Sequence, residues 1–186
     1  MIHYYSKIYE ISPLTMAVVS EVDKNGRRMT RVLEEKNEFL TDVKPLEIIQ
    51  QSCKFFGSSL KGRQEGTAAV SGITYKAPIS IDPSIGLYFF PTHSPANLKC
   101  SWISHTHIDS IHQTDNKKTE IIFKNKKSIF LDTSYGSMLN QVQRTAQFRY
   151  LMETRLHQMR QKGDIAAESP RSTPPKLIPP FYGSRD

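Results

Sequence analysis

The sequence predicts an α+β fold: a mainly antiparallel sheet with a short helix at about 45–56 and a long C-terminal helix at about 137–161. Three observations predict it. Runs of β-branched and aromatic residues, bounded by turn residues, recur through the first half and middle of the chain. Leu46, Ile49, Cys53 and Phe56 recur at three- and four-residue steps. Between Ser137 and Gln161 no Pro or Gly breaks a helical pattern.

In chain order, Leu14 to Val22 reads as a strand, with Val18, Val19 and Val22 supplying β-branched bulk. Asp23-Lys24-Asn25-Gly26 follows, and Asn-Gly suits the positive φ angles of a tight hairpin. Arg28 to Glu34 then returns antiparallel, and Phe39 to Val43 is a short third strand. Lys44-Pro45 opens the first helix, because proline fits the first helical position, where its N–H is not needed. Gly57 is its stop. Ser58-Ser59 caps a second short helix through Gln64, ended by Gly66. Ala69 to Tyr75, Ile79 to Ile81, Leu87 to Phe90 and Cys100 to Ile108 read as strands, with turn chemistry at Asp82-Pro83-Ser84-Ile85-Gly86. Thr119 to Phe123 and Ser128 to Leu131 form a hairpin with Lys124-Asn125-Lys126-Lys127 at its tip. After Gly163 the composition turns to Ser, Pro and Arg, including Pro174-Pro175 and Pro179-Pro180. The expected organisation is one domain over 1–162 and a disordered or extended tail over 163–186.

The 186 residues, 38% of them hydrophobic, are enough to bury a real core. Lys and Arg number 25 against 18 Asp and Glu, a net charge of +7. That surplus favours polyanionic partners, since neutralised phosphates release condensed counterions. It does not decide the matter, because many basic proteins bind no nucleic acid. Two cysteines, Cys53 and Cys100, make no disulfide framework, and a reducing cytosol fits. Met1-Ile2-His3-Tyr4-Tyr5 lacks the basic and apolar regions of a signal peptide. No stretch approaches the ~20 apolar residues of a bilayer span. A cytoplasmic, nucleoid-associated protein with no membrane partner is expected.

Several constellations carry chemistry. Ser52 to Arg63 mixes hydroxyls, small residues and the cations Lys54, Lys61 and Arg63. Free N–H groups at Ser58 and Ser59 would suit a phosphate, although no Walker pattern is present. The basic hairpin, with Lys117-Lys118, Lys124, Lys126 and Lys127, suits a nucleic-acid groove or merely protects a sheet edge. On the long helix Arg144 and Arg155 share one face and Arg149 and Arg160 another, while Leu139, Val142, Ala146 and Tyr150 suit packing or dimerisation. His105-Thr106-His107 puts two imidazoles on one face of a strand. With His112 they could serve a metal-dependent hydrolase, but no Cys-x-x-Cys or His-Glu-x-x-His signature supports it. No cofactor is implied, and a basic protein-interaction module is the third reading.

An ordered set of strings resembles the competence transcription factor family (ComK). They are Val43-Lys44-Pro45-Leu46-Glu47-Ile48-Ile49, Ser52-Cys53-Lys54-Phe55-Phe56-Gly57-Ser58-Ser59, Gly62-Arg63 with Gly66-Thr67, and Pro78-Ile79 with Asp82-Pro83-Ser84. Phe89-Phe90-Pro91-Thr92, Cys100-Ser101-Trp102-Ile103-Ser104-His105 and Asn140-Gln141-Val142-Gln143-Arg144-Thr145-Ala146 complete it. The resemblance implies a non-enzymatic activator of DNA-uptake genes that binds paired A/T-rich boxes, largely from the minor groove, and self-associates as dimers. It also implies contact with the transcription machinery and control by an adaptor of a Clp protease. The tail after Gly163 shows no close counterpart of the family's adaptor-binding segment. Charge and placement nominate Lys54, Lys61, Arg63, Lys126, Lys127, Arg144 and Arg149 for DNA contact.

Overall fold

A computed structural model describes residues 3–4, 9–114 and 118–168, with 3–4 and 163–168 described by backbone alone. The expected tail beyond 168 and Lys117 lie outside the described residues. Two compact units divide at residues 154 and 155. Residues 155–168 of the second unit are the C-terminal part of a helix.

The first unit is built around a seven-stranded sheet. Its strands are β1 (His3–Tyr4), β2 (Thr15–Val22), β3 (Arg28–Glu34), β4 (Glu38–Thr41), β5 (Ile79–Asp82), β6 (Leu87–Pro91) and β7 (Trp102–Ser104). They are ordered β1-β4-β3-β2-β7-β6-β5, and every pair but β1 with β4 is antiparallel. A three-stranded antiparallel sheet holds β8 (Ile108–Gln113), β9 (Thr119–Phe123) and β10 (Ser128–Leu131), in the order β10-β9-β8. The helices are α1 (Pro45–Phe55), α2 (Leu60–Ser71) and α3 (Tyr135–Glu168). This is the α+β fold that the sequence predicts.

The apolar runs of β2 and β6 do not alternate with polar residues because the large sheet is covered on both faces. Val18, Val32, Leu87, Phe89 and Trp102 point to one side, packing with Ile48, Ile49 and Cys53 of α1 and Leu60 of α2. Their neighbours Ala17, Val19, Leu33, Phe90 and Ile103 point to the other. There they meet Ile121, Phe123, Ile129 and Leu131 of the small sheet and Met138 of α3. Trp102, Phe89 and Phe90 are fully buried, each worth about 1.5–3 kcal/mol of transfer free energy. A third cluster joins Tyr88 to Phe148 of α3 with their rings edge to face at 5.9 Å.

One loop differs from expectation. Asp23 N–H donates to Arg27 O (2.9 Å) and Gly26 N–H to Asp23 O (3.1 Å), with Gly26 alone at positive φ (77°). This is a turn closed by one left-handed residue, not a two-residue Asn-Gly turn. The Asp23 carboxylate ties it by accepting from the N–H groups of Asn25 and Arg27, both at 2.8 Å. The hairpin at Phe123–Lys127 has the same bonds, with Lys126 (φ 68°) in the position of Gly26.

Three boundaries are corrected. Ser59 caps α2 as expected, its Oγ accepting from Gly62 N–H at 3.0 Å. The helix nevertheless passes Gly66 and stops at Gly72, which takes the left-handed conformation (φ 74°). An interior glycine costs only about 1 kcal/mol, and Thr67 and Leu60 are buried against the core. Ala69 to Tyr75 is therefore the end of α2 and a turn, not a strand. His105–His107 is one turn of 3-10 helix between β7 and β8, so the Cys100 to Ile108 strand is interrupted and the two imidazoles do not share a strand face. The long helix begins two residues earlier than predicted and continues past Gly163 to Glu168. No described helix is long and apolar enough to cross a membrane.

Candidate nucleic-acid interface

The nominated cations separate by what they touch. Lys126 pairs with Asp109 at 2.8 Å. Lys127 lies 3.9 Å from Glu38 and donates to the Glu34 carbonyl at 3.4 Å. Asn125, between Lys124 and Lys126, donates to the Glu35 carbonyl at 2.9 Å. The hairpin tip is thus docked on the β3–β4 turn with much of its charge met by acids. Lys61 lies 3.8 Å from Glu65 on its own helix. Arg149 pairs with Glu153 at 2.6 Å and sits over the Tyr88 ring at 5.9 Å.

Lys54, Arg63 and Arg144 have no ion pair with a described residue. Lys54 is exposed in the last turn of α1. Arg63 is half-buried, its Nη2 donating to Phe56 O at 3.4 Å, while its covered Nε finds no partner. Ser58 N–H is consumed by Cys53 O at 2.9 Å, closing α1, so it offers nothing to a phosphate. Arg144 is held by Gln141 Oε1 (2.9 Å) and by the Tyr75 carbonyl (2.5 Å).

A second cationic region groups residues that the sequence does not bring together. A groove of about 260 Å³ is lined by Arg28, His93, Lys99, Lys118, Phe130 and Asp132, among others. Lys76 adjoins it, its ammonium donating to Thr92 O at 3.4 Å. Lys76 also holds a left-handed backbone (φ 47°) that L side chains rarely adopt. Buried Gln141 anchors this rim: its Nε2 donates to Pro91 O (2.7 Å) and to Lys76 O (3.1 Å). Arg28 reaches Leu98 O at 3.5 Å, and the loop that carries it is fixed to β2 by Ser20 Oγ donating to Leu98 O at 2.6 Å. Burial first, and then the charges of Lys76 and Lys99, hold the His93 imidazole below its ordinary pKa of 6.5. Phe130, 62% exposed, stands on the groove wall.

The three histidines of the hydrolase reading do not converge. His107 Nδ1 shares a hydrogen bond with Ser104 Oγ (2.8 Å), and its Nε2 faces Glu35 at 3.6 Å. His105 bonds the backbone of Val142, and His112 Nε2 meets Ser110 Oγ at 3.0 Å. Among the described residues no three His, Cys, Asp or Glu side chains are grouped to hold a metal. Desolvation pushes the thiols of Cys53 and Cys100 up to about 11, and both are buried. A protonated, covered thiol is a poor nucleophile.

No solved structure matches the chain. At the level of sequence, the ComK protein family matches residues 6–157. The chain is also 40% identical over 148 residues to the competence transcription factor of Bacillus subtilis (strain 168), covering 80% of this chain and 77% of that protein. A match over most of its length places this chain in the ComK family.

Proposed function

We propose that the chain activates competence genes by binding A/T-rich boxes in duplex DNA, largely through the minor groove. Family membership over residues 6–157 is the observation that carries the reading. It makes the chain a transcription regulator and not an enzyme. A minor-groove route accords with the architecture. A narrow A/T-rich groove concentrates negative potential, so Arg or Lys gains there without reading major-groove edges. Most of α1 and the first turns of α3 are committed to packing, which leaves lysines and arginines on loops and strand ends as the natural contacts. Work in the cytoplasm at the nucleoid, self-association as dimers and contact with the transcription machinery belong to the same reading. Delivery to a Clp protease by an adaptor, which the family implies, would need a contact other than the segment that has no close counterpart after Gly163.

The test is footprinting on a promoter carrying two A/T boxes, with and without a minor-groove-binding drug. Protection of both boxes that the drug abolishes is the expected result. Protection that survives saturating drug overturns the minor-groove route.

A further inference from the structure

We propose that the rim around His93, formed by Arg28, Lys76, Lys99, Lys118 and Arg144, grips the phosphate backbone of duplex DNA, and that Lys126 and Lys127 of the basic hairpin tip do not. The inference rests on the reading that this chain binds duplex DNA.

Pairing is the first argument. A cation already met by a carboxylate gives little net charge to a phosphate, since that pair must be broken first. Lys126 is so met, at 2.8 Å, and Lys127, 3.9 Å from Glu38, lies against the β3–β4 turn with only 33% of its side chain exposed, against 64% for Lys99 beside Asp132. Arg28, Lys76, Lys118 and Arg144 have no ion pair with a described residue, and the Lys99 pair with Asp132 is stretched to 4.0 Å. Glu21, which also lines the groove, is engaged by Arg31 at 2.6 Å.

Restraint is the second. Lys76, Arg28 and Arg144 are held by main-chain carbonyls of Thr92, Leu98 and Tyr75. A carbonyl orients a cation without cancelling its charge, so the side chain is ordered before the phosphate arrives. Ordering beforehand reduces the entropy lost on binding.

Backbone conformation is the third. Lys76 occupies a left-handed φ of 47°, a placement that costs a non-glycine residue on the order of 1 kcal/mol. Glycine would take it freely; Lys126 shares the left-handed conformation (φ 68°) but spends its ammonium on Asp109, whereas that of Lys76 meets no carboxylate of a described residue. The pKa of His93 is lowered first by burial and then by the charges of Lys76 and Lys99, against Asp132, which places both ammonium groups near the ring.

The full chain and its variants are titrated with a short A/T-rich duplex by fluorescence anisotropy over a salt series. Removing a phosphate contact lowers the slope of log affinity against log salt by about 0.9. R28A/K99A/K118A should lose about three units, K76G about one, and K126A/K127A none. K76G should melt no lower than the wild type, which separates a binding role from a structural one. If the triple variant binds with the wild-type slope, the proposal is overturned while duplex binding stands. If the triple variant does not fold, K76G decides, and an unchanged slope overturns the proposal. A wild-type chain that binds no duplex at low salt overturns the DNA reading itself, and this inference with it.

Discussion

Two regions of the molecule carry similar clusters of positive side chains and use them differently. At the β9–β10 hairpin, Lys126 and Lys127 are spent on Asp109, Glu38 and the Glu34 carbonyl, and the tip is pinned by Asn125 to the β3–β4 turn. At the His93 rim, Arg28 and Lys76 are held by carbonyls. The first arrangement fastens one sheet to another; the second leaves charge facing solvent. The density of lysines along a sequence therefore says little about where a polyanion would sit. The distribution of acids around them in space says more.

The largest expected effect breaks the frame of the rim. Gln141→Ala removes the donor that serves Pro91 O and Lys76 O. Leaving two carbonyls unmet in a covered site should lower unfolding stability by about 2–4 kcal/mol, read from urea denaturation. A loss under about 0.5 kcal/mol would show that water replaces the amide.

Phe130→Ser tests the groove wall next. The exposed ring can contribute contact area but no charge. Its loss should weaken duplex binding roughly fivefold, about 1 kcal/mol, without changing the salt slope. A changed slope would mean that the substitution had displaced the neighbouring cations.

Acidification acts on both regions. His93 and His107 are held below their ordinary pKa of 6.5, chiefly by burial, as is His105 beneath α3. Such groups stay neutral in the folded chain while the unfolded chain takes up protons. Stability is then complete above about pH 6.5 and declines as the pH falls from there towards the folded pKa values. Denaturation midpoints at pH 7.5 and 5.5 should differ in that direction, and the decline should shrink in His93→Gln and in His107→Gln. A midpoint that rises on acidification contradicts the burial of these rings.

The smallest effect is Asp109→Asn. It releases Lys126 from a solvent-exposed pair that water and salt already screen. Because the rest of the tip stays docked, the salt slope of duplex binding should not rise. An increase of one unit would return the hairpin to the binding surface.

Much of the fold was legible from local pattern. The apolar period of α1, Pro45 at its start and the strand pair around Gly26 all follow from short-range chemistry. The length of α2 did not, because Gly66 read as a stop while the burial of Thr67 and Leu60 carried the helix on. The 3-10 turn at His105–His107 was hidden for a similar reason. Its residues fit a strand, and the tertiary contacts it makes, such as that of His105 with the Val142 backbone, carry no local signal. Of the candidate interface, Arg144 was legible as a helix cation. Arg28, Lys76, Lys99 and Lys118 sit in separate segments with no shared motif, and only tertiary structure leaves Arg28, Lys76 and Lys118 without an ion pair to a described residue.

The two cysteines bear on how such a regulator would sense its surroundings. Peroxides attack thiolates, and here both sulfurs stay protonated at neutral pH and shielded from solvent. Cys100 also donates from beneath the rim to the His93 carbonyl at 3.4 Å, so oxidising it would require the chain to open first. Peroxide should therefore leave the two thiols of the folded chain unmodified.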